Sequence, residues 1–346
     1  IDTGLYVLCL DNSTASSLRE RSEKLLHNRG YNRYFDKYQI VVFRDGKVGS
    51  IFEHAPVDAI SVGRIWNETI KYLNEQCHPS PIRDEGEKHA ELMTELKLDL
   101  PLNIRAFIGK SRDRFQQLVD NTQQEVVLFE AFGTDALKQL GVSPDACMQV
   151  MFHLSYLKAF GKIQNTYESV STRQFKEGRT DVLRSVTRES LDFAQGCNPD
   201  PETASLALLK RATESIMQRR MISAAGSSPD HHLAALYQLT LQNQNNLFDY
   251  QIPRLFSDPS YTLYKRSILS TSNISDPLCL LFGFGPVTPE GLGLAYGTYP
   301  GHLVFHLSFF DQDRERINHF RRELLGALRY LQDMLTFAGV EVARSS

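Results

Sequence analysis

Apolar and polar positions along this chain switch repeatedly between a period of two and a period near 3.6. The run Tyr6-Val7-Leu8-Cys9-Leu10 reads as a strand, and Ser16 to Asn28 changes to helical spacing with Leu18, Leu25 and Leu26 on one side. Strand character returns at Tyr38 to Phe43 and Val48 to Glu53, around Arg44-Asp45-Gly46-Lys47. Asp-Gly between two β-rich runs predicts a hairpin. Its second strand delivers His54 at its end, and a helix follows over about Ile60 to Glu75. Gln76 to Glu91 is rich in Pro, His and charge and reads as a surface connection, with a division near residue 100 into segments 1–100 and 101–346.

Beyond it the pattern predicts helices over Asn103 to Thr122, Leu191 to Cys197, Glu202 to Ala225 and Asp230 to Asn246. Another helix is entered through the cap-like Ser143-Pro144-Asp145. A short strand is expected at Val126 to Phe129, and a polar run covers Gln164 to Arg184. The last third predicts strands at Ser267 to Ser272, Leu278 to Phe284, Gly293 to Tyr299 and His302 to Phe310, then an amphipathic helix from Gln312 to Thr336. Strands and helices that alternate in this way predict a layered α/β fold.

Composition narrows the function. The 346 residues are 42% hydrophobic and 23% charged, which excludes a disordered or fibrous chain. Thirty-eight Lys and Arg against forty-one Asp and Glu give a net charge of -3 without long like-charged runs, so nucleic acid and anionic membranes are not expected partners. The longest apolar stretches fall well short of the roughly 20 residues of a membrane span. Five scattered cysteines predict a reducing, intracellular compartment, cytoplasm or organelle, and neither a disulfide framework nor a zinc site. The final Ala343-Arg344-Ser345-Ser346 is not a peroxisomal signal of the SKL type. A chain that opens in a strand without Met reads as part of something longer.

Three places could carry chemistry. His54 stands beside Glu53 and four residues before Asp58, an acceptor able to fix an imidazole tautomer for general-base work; a histidine simply packed at a strand end fits the same spacing. Ser270-Thr271-Ser272 closes a strand ahead of Phe282-Gly283-Phe284-Gly285-Pro286, where hydroxyls could serve an oxyanion and glycines allow close approach of a ligand, or where a strand end simply meets solvent. Tyr167-Glu168-Ser169 and Gly178-Arg179-Thr180-Asp181 form a polar block that lines a tunnel or is a solvated loop. There is no GxGxxG, P-loop, HExxH or GxSxG motif, which argues against dinucleotide, kinase, zincin and serine-hydrolase readings.

In order, Leu5 to Asp11, Asn32 to Lys37, Glu53-His54, Ser143 to Asp145, Thr166 to Ser169, Glu177 to Asp181, Leu269 to Ser272 and Phe284 to Val287 resemble the carnitine/choline acyltransferase family over nearly the whole chain. The resemblance implies two chloramphenicol-acetyltransferase-like α/β domains with mixed sheets and an active-site tunnel at their interface. Residues 1–100 would then end the N-terminal domain and 101–346 form the C-terminal one. It implies coenzyme A as co-substrate without a metal, a small alcohol as acceptor, and the preceding half of the same protein as a partner.

Residue by residue, the resemblance makes His54 the base, Asp58 its orienting carboxylate and Ser272 an oxyanion donor. Tyr167, Thr180, His231, Ser270 and Phe284 fall on acceptor positions, and Lys138, Asp145, Glu168 and Ser169 on coenzyme A positions. Two departures matter. Thr134 replaces one of a lysine pair, a loss of about 1 kcal/mol in phosphate binding that leaves room for a donor carried on an acyl carrier protein. Asp230-His231-His232-Leu233 lacks the arginine of D-R-H-L that holds the carnitine carboxylate, and histidine offers no permanent bidentate fork. Carnitine, choline, or a neutral alcohol or polyol thus remain acceptors, the last as in a polyketide synthase-attached domain that offloads acyl chains. A catalytically inactive relative that binds coenzyme A or acylcarnitine is the alternative of another class. Bulky Phe282 implies short acyl groups, while Gly283 could open space beside it.

Overall fold

The computed structural model describes residues 4–76, 97–197, 203–246, 251–310 and 314–342; the predicted connection from Cys77 onward lies outside them. Contacts group the chain into two compact units, residues 1–14 with 27–120, and residues 15–26 with 121–346.

The first unit is built on a three-stranded mixed sheet of β1 (Tyr6–Asp11), β2 (Tyr38–Phe43) and β3 (Val48–Ile51), with β1 parallel and β3 antiparallel to β2. The hairpin forms as its Asp-Gly signal predicts, with Gly46 at φ 76° in the left-handed region open to glycine. Helix α1 (Leu18–Leu26) belongs to the second unit, whereas α2 (Ala59–Gln76) and all but the end of α3 (Leu102–Asn121) belong to the first. Asp11, at the end of β1, forms a buried pair with Arg33: Arg33 donates to both carboxylate oxygens, at 3.1 and 2.8 Å, and to the Asn32 carbonyl at 2.7 Å.

The second unit holds a six-stranded mixed sheet of β4 (Thr122–Phe129), β5 (Thr166–Ser171), β6 (Thr180–Arg184), β7 (Leu269–Asn273), β8 (Leu292–Thr298) and β9 (Leu303–Phe310), in spatial order β4-β9-β8-β7-β5-β6. The β5–β7 and β7–β8 pairs are parallel and the others antiparallel. Its helices are α4 (Thr134–Gln139), α5 (Pro144–Phe160), α6 (Arg188–Gln195), α7 (Thr203–Ala224), α8 (Pro229–Asn246), α9 (Arg254–Ser257), α10 (Pro259–Lys265) and α11 (Glu315–Phe337).

Alternation along the strands decides which residues meet the core. On one face Val127, Phe129, Leu183, Leu269, Leu294, Phe305, Leu307 and Phe309 join the buried cluster formed with α5 and α11. Helix α5 is apolar all round and buried nearly throughout, in contact with α6, α7 and α11. Its ends match the sequence: Ser143 accepts from the Ala146 amide, Pro144 opens the first turn, and Gly161 closes the helix at φ 70°. Helix α11 instead carries a stripe, Ile317, Phe320, Leu324, Leu328, Leu331 and Leu335, against that core.

Two expectations are corrected. Gln164 to Arg184 is not a solvated loop: it holds the β5–β6 hairpin, whose alternate residues Glu168, Val170, Asp181 and Leu183 are buried. Leu278 to Phe284 is not a strand: it crosses the other face of the sheet, where the Cys279 and Phe284 carbonyls accept from the side chains of Tyr299 and Ser308 in place of a ladder partner.

Arg33→Ala should destabilise the first unit by about 3–5 kcal/mol, because it leaves Asp11 charged and buried. Urea unfolding followed by fluorescence checks this, and Arg33→Met with Asp11→Leu should recover most of the loss.

Candidate functional site

His54 does not end β3, which stops at Ile51; it lies three residues on, in the turn before α2. Its side chain is 66% exposed, and Nδ1 stands 3.7 Å from Oδ1 of the largely covered Asp58, an ion-pair separation longer than a hydrogen bond. The Asp58 carbonyl accepts from the Ser61 and Val62 amides at 2.9 and 3.4 Å, so the start of α2 fixes the residue that faces the imidazole. Glu53 turns away and accepts from the Ala55 amide at 2.8 Å.

In the second unit, strand register collects most of the acceptor candidates. Tyr167 pairs with Arg184 and with Ser270, and Ser171 with Thr180. Directly paired residues share a face and residues two apart share it too, so Tyr167, Ser169, Thr180, Arg184, Ser270 and Ser272 all stand opposite the apolar core. Phe284 belongs to the segment that crosses this same face, anchored where Ser308 donates to its carbonyl at 2.7 Å. A Cβ on Gly283 would lie 2.7 Å from the His306 ring, so the space expected beside Phe282 is filled by His306. That imidazole is buried, bonds Gln124 Oε1 at 2.9 Å and is pushed down to about 4 by burial, which keeps it neutral.

At the outer edge of this face Arg184 is clamped. Its Nε and Nη2 donate to Asp230 Oδ1 at 3.0 and 2.7 Å, and Nη1 donates to Ser267 at 3.1 Å. Tyr264 donates to the other oxygen of Asp230 at 2.6 Å. His231, exposed on the first turn of α8, has Nδ1 3.5 Å from Oδ1 of buried Asp181, which also accepts the Ser228 and Val182 amides.

Behind the face lies a buried polar network that the sequence pattern did not reveal. Tyr296 Oη is 2.6 Å from Glu168 Oε1 and 2.8 Å from Asp145 Oδ1. A phenol has one proton, so one of these pairings needs a proton on the carboxyl. Asp145 already faces Arg220 at 2.5 Å and accepts from Asn273 at 3.1 Å. Glu168 is 1% exposed, and burial, with the Asp145 charge added, raises its carboxyl well above the usual range. Glu168 is therefore the protonated partner: it donates to Tyr296, which donates to Asp145. Lys138 is exposed on α4, and near it Gly141 to Ser143 and the Lys210, Glu214, Met217 and Met221 side of α7 enclose a groove of about 340 Å³. Asp145 sits two residues from this groove, and Glu168 connects to it through Tyr296 and Asp145.

No His, Cys, Asp and Glu cluster suited to a metal occurs among the described residues. No described helix is long and apolar enough to cross a membrane.

The mixed α/β chain thus gathers hydroxyls and a clamped arginine on one sheet face, and exposes a carboxylate-paired histidine in its other unit. The profile of the choline/carnitine O-acyltransferase family matches residues 1–325, and the chain belongs to that family. Among curated proteins it is 31% identical to choline O-acetyltransferase of Sus scrofa over 327 residues, 91% of this chain and 50% of that protein. It is 31% identical to mitochondrial carnitine O-palmitoyltransferase 2 of Rattus norvegicus over 317 residues, 90% of this chain and 47% of that one. The chain thus spans about half the length of the curated relatives it matches. Among solved structures, the wax ester synthase/diacylglycerol acyltransferase from Marinobacter aquaeolei VT8 superposes with a TM-score of 0.44 at 12% identity, over 96% of this chain and 80% of that one.

Glu168→Gln tests the proton assignment. A carboxyl whose folded value lies above its ordinary 4.5 stabilises the fold below that value and loses the contribution as pH rises toward the folded value. The wild-type melting temperature should therefore fall between pH 5 and pH 8 more steeply than that of Glu168→Gln, which keeps a donor toward Tyr296; parallel curves would show Glu168 to be ionised.

Proposed function

We propose that this chain is the greater part of the working site of an O-acyltransferase that moves an acyl group between a coenzyme A thioester and the hydroxyl of a small alcohol. The observation that carries the reading is the single sheet face that holds Tyr167, Thr180, Ser270 and Ser272, residues that the family resemblance assigns to acceptor and oxyanion. In this reading His54 takes the acceptor proton, Asp58 steadies its charge, and Ser272 donates to the oxyanion of the tetrahedral intermediate. Lys138 and Asp145 flank the coenzyme A arm along the groove of α7, with Ser169 on its path. The chloramphenicol-acetyltransferase-like domains and substrate tunnel that the resemblance implies belong to the same reading.

The acceptor follows from charge. Arg184 is held by Asp230, and His231 faces Asp181, so the edge offers no guanidinium free of a carboxylate and no permanent charge at position 231. We infer an acceptor without a carboxylate, a neutral polyol or a trimethylammonium alcohol, in preference to carnitine.

The test is release of the coenzyme A thiol from acetyl-CoA by the complete protein, with glycerol, choline and carnitine offered separately. Turnover should be seen with glycerol or choline, and His54→Ala should lower it by about 10³-fold or more. Binding of acetyl-CoA without turnover would make the protein an inactive relative and end this reading. His231→Arg should leave kcat/KM for carnitine within about threefold of wild type, because Asp181 would take the new guanidinium as Asp230 takes Arg184; a rise of about tenfold, the effect of one free charged contact, would discard the charge argument.

A further inference from the structure

The buried network reaches the strands that carry the acceptor face from behind, through Glu168 of β5, Asn273 of β7 and Thr271, the middle residue of the Ser-Thr-Ser strand. We propose that Gln149, buried on α5, is the positioning residue that fixes β7 against β5 and so sets the spacing of Ser270 and Ser272 from Tyr167. This rests on the acyltransferase reading for its catalytic consequence but not for its geometry.

The side-chain amide of Gln149 is fully buried, and each of its bonds has a determined direction. Thr271 Oγ1 donates to the Tyr167 carbonyl at 2.8 Å, and a carbonyl can only accept. The threonine oxygen must therefore receive its second bond, and Gln149 Nε2 supplies it at 3.0 Å. The other N–H points to Tyr296 Oη at 3.2 Å, which donates to Asp145 and so can receive. Gln149 Oε1 accepts from Ser185 at 2.7 Å, and Ser185 takes its own bond from His153 Nε2 at 3.1 Å. Burial holds His153 down to about 3, so its ring is neutral and serves as the N–H end of the chain.

Only an amide fits this position. A carboxylate would set an acceptor against Thr271, and a thioether would leave the Thr271 and Tyr296 oxygens one donor short. The β5–β7 pairing is short, Thr166 with Leu269, Tyr167 with Ser270 and Glu168 with Thr271. The Gln149–Thr271–Tyr167 chain adds a side-chain tie across that narrow ladder, on the face away from Ser270 and Ser272.

The experiment uses the complete protein and four variants, Gln149→Met, Thr271→Val, their double variant and Ser185→Ala. Gln149→Met should lower kcat by about tenfold or more with KM for acetyl-CoA within about twofold, and Thr271→Val should do the same. Because both break one tie, the double variant should be no worse than the poorer single variant by more than about threefold. Ser185→Ala removes a buried hydrogen bond of the same network but leaves both Gln149 donors in place, and should stay within about threefold of wild type. Amide exchange should quicken by about tenfold across 166–171 and 269–273 in Gln149→Met, with β4 and β9 unchanged. Additive kcat losses, an equal loss in Ser185→Ala, or unchanged exchange in β5 and β7 would overturn the proposal. Local exchange as expected in a wild-type protein that transfers acyl groups to none of the acceptors would instead overturn the acyltransferase reading and leave the positioning role standing.

Discussion

Burial of α5 against the six-stranded sheet is the constraint from which the rest of the second unit follows. A helix apolar on every side is stable only when covered all round, and here the sheet provides one wall while α6, α7 and α11 contact the helix elsewhere. Each central strand must then give its alternate residues to that wall. Leu269, Leu294 and Phe305 go inward because of it, and Ser270, Tyr167 and Thr180 are left on the opposite face by the period of two. A slip of one residue in β7 would turn both serines toward the apolar core and Leu269 and Thr271 away from it. The polar face is thus held in register by the apolar one.

That wall is not wholly apolar. Gln149, Glu168, Thr271 and Tyr296 place a connected polar system inside it, joined to Asp145 and Arg220 at the rim. Such a system stabilises only when nearly every group is satisfied, since an unpaired buried polar atom costs about 1–3 kcal/mol. Proton sharing resolves most of it: a neutral Glu168 removes one of two adjacent charges, and Arg220 offsets the other. Glu168 Oε2 and His153 Nδ1 have no partner among the described residues. With Glu168 protonated on Oε1 and His153 on Nε2, both of these atoms are acceptors, and a bare acceptor beside a bonded atom is the less costly kind of omission.

Much of this fold was legible in the sequence where local chemistry is strong. Asp45-Gly46 marked its hairpin, and Ser143-Pro144 with Gly161 marked both ends of α5. The β5–β6 hairpin was hidden because its outward face is polar and its inward face carries Glu168 and Asp181, so no apolar alternation showed. Leu278 to Phe284 misled for the opposite reason: its residues are strand formers, but a tertiary bond to each of two carbonyls replaced the ladder. The candidate site was readable as residue types, His54 with Asp58 and the Ser-Thr-Ser triplet. What spacing could not supply was the network behind them, since Gln149 lies 122 residues from Thr271 and 147 from Tyr296.

The acceptor edge shows how a well-placed arginine can fail as a ligand site. Arg184 stands on the right face, beside Tyr167, with its guanidinium 6.0 Å from that ring centroid. Yet an acceptor carboxylate would have to displace Asp230, which already takes two of its N–H groups and is itself fixed by Tyr264. At an effective dielectric constant near 20, a unit charge pair about 4 Å apart is worth roughly 4 kcal/mol, so the exchange of one carboxylate for another gains little while the ordering of a free ligand still opposes it. A cation that is to hold a substrate anion must be left without a carboxylate by the protein. Asp230 denies that condition to Arg184, and on that constraint rests the proposal of an acceptor without a carboxylate.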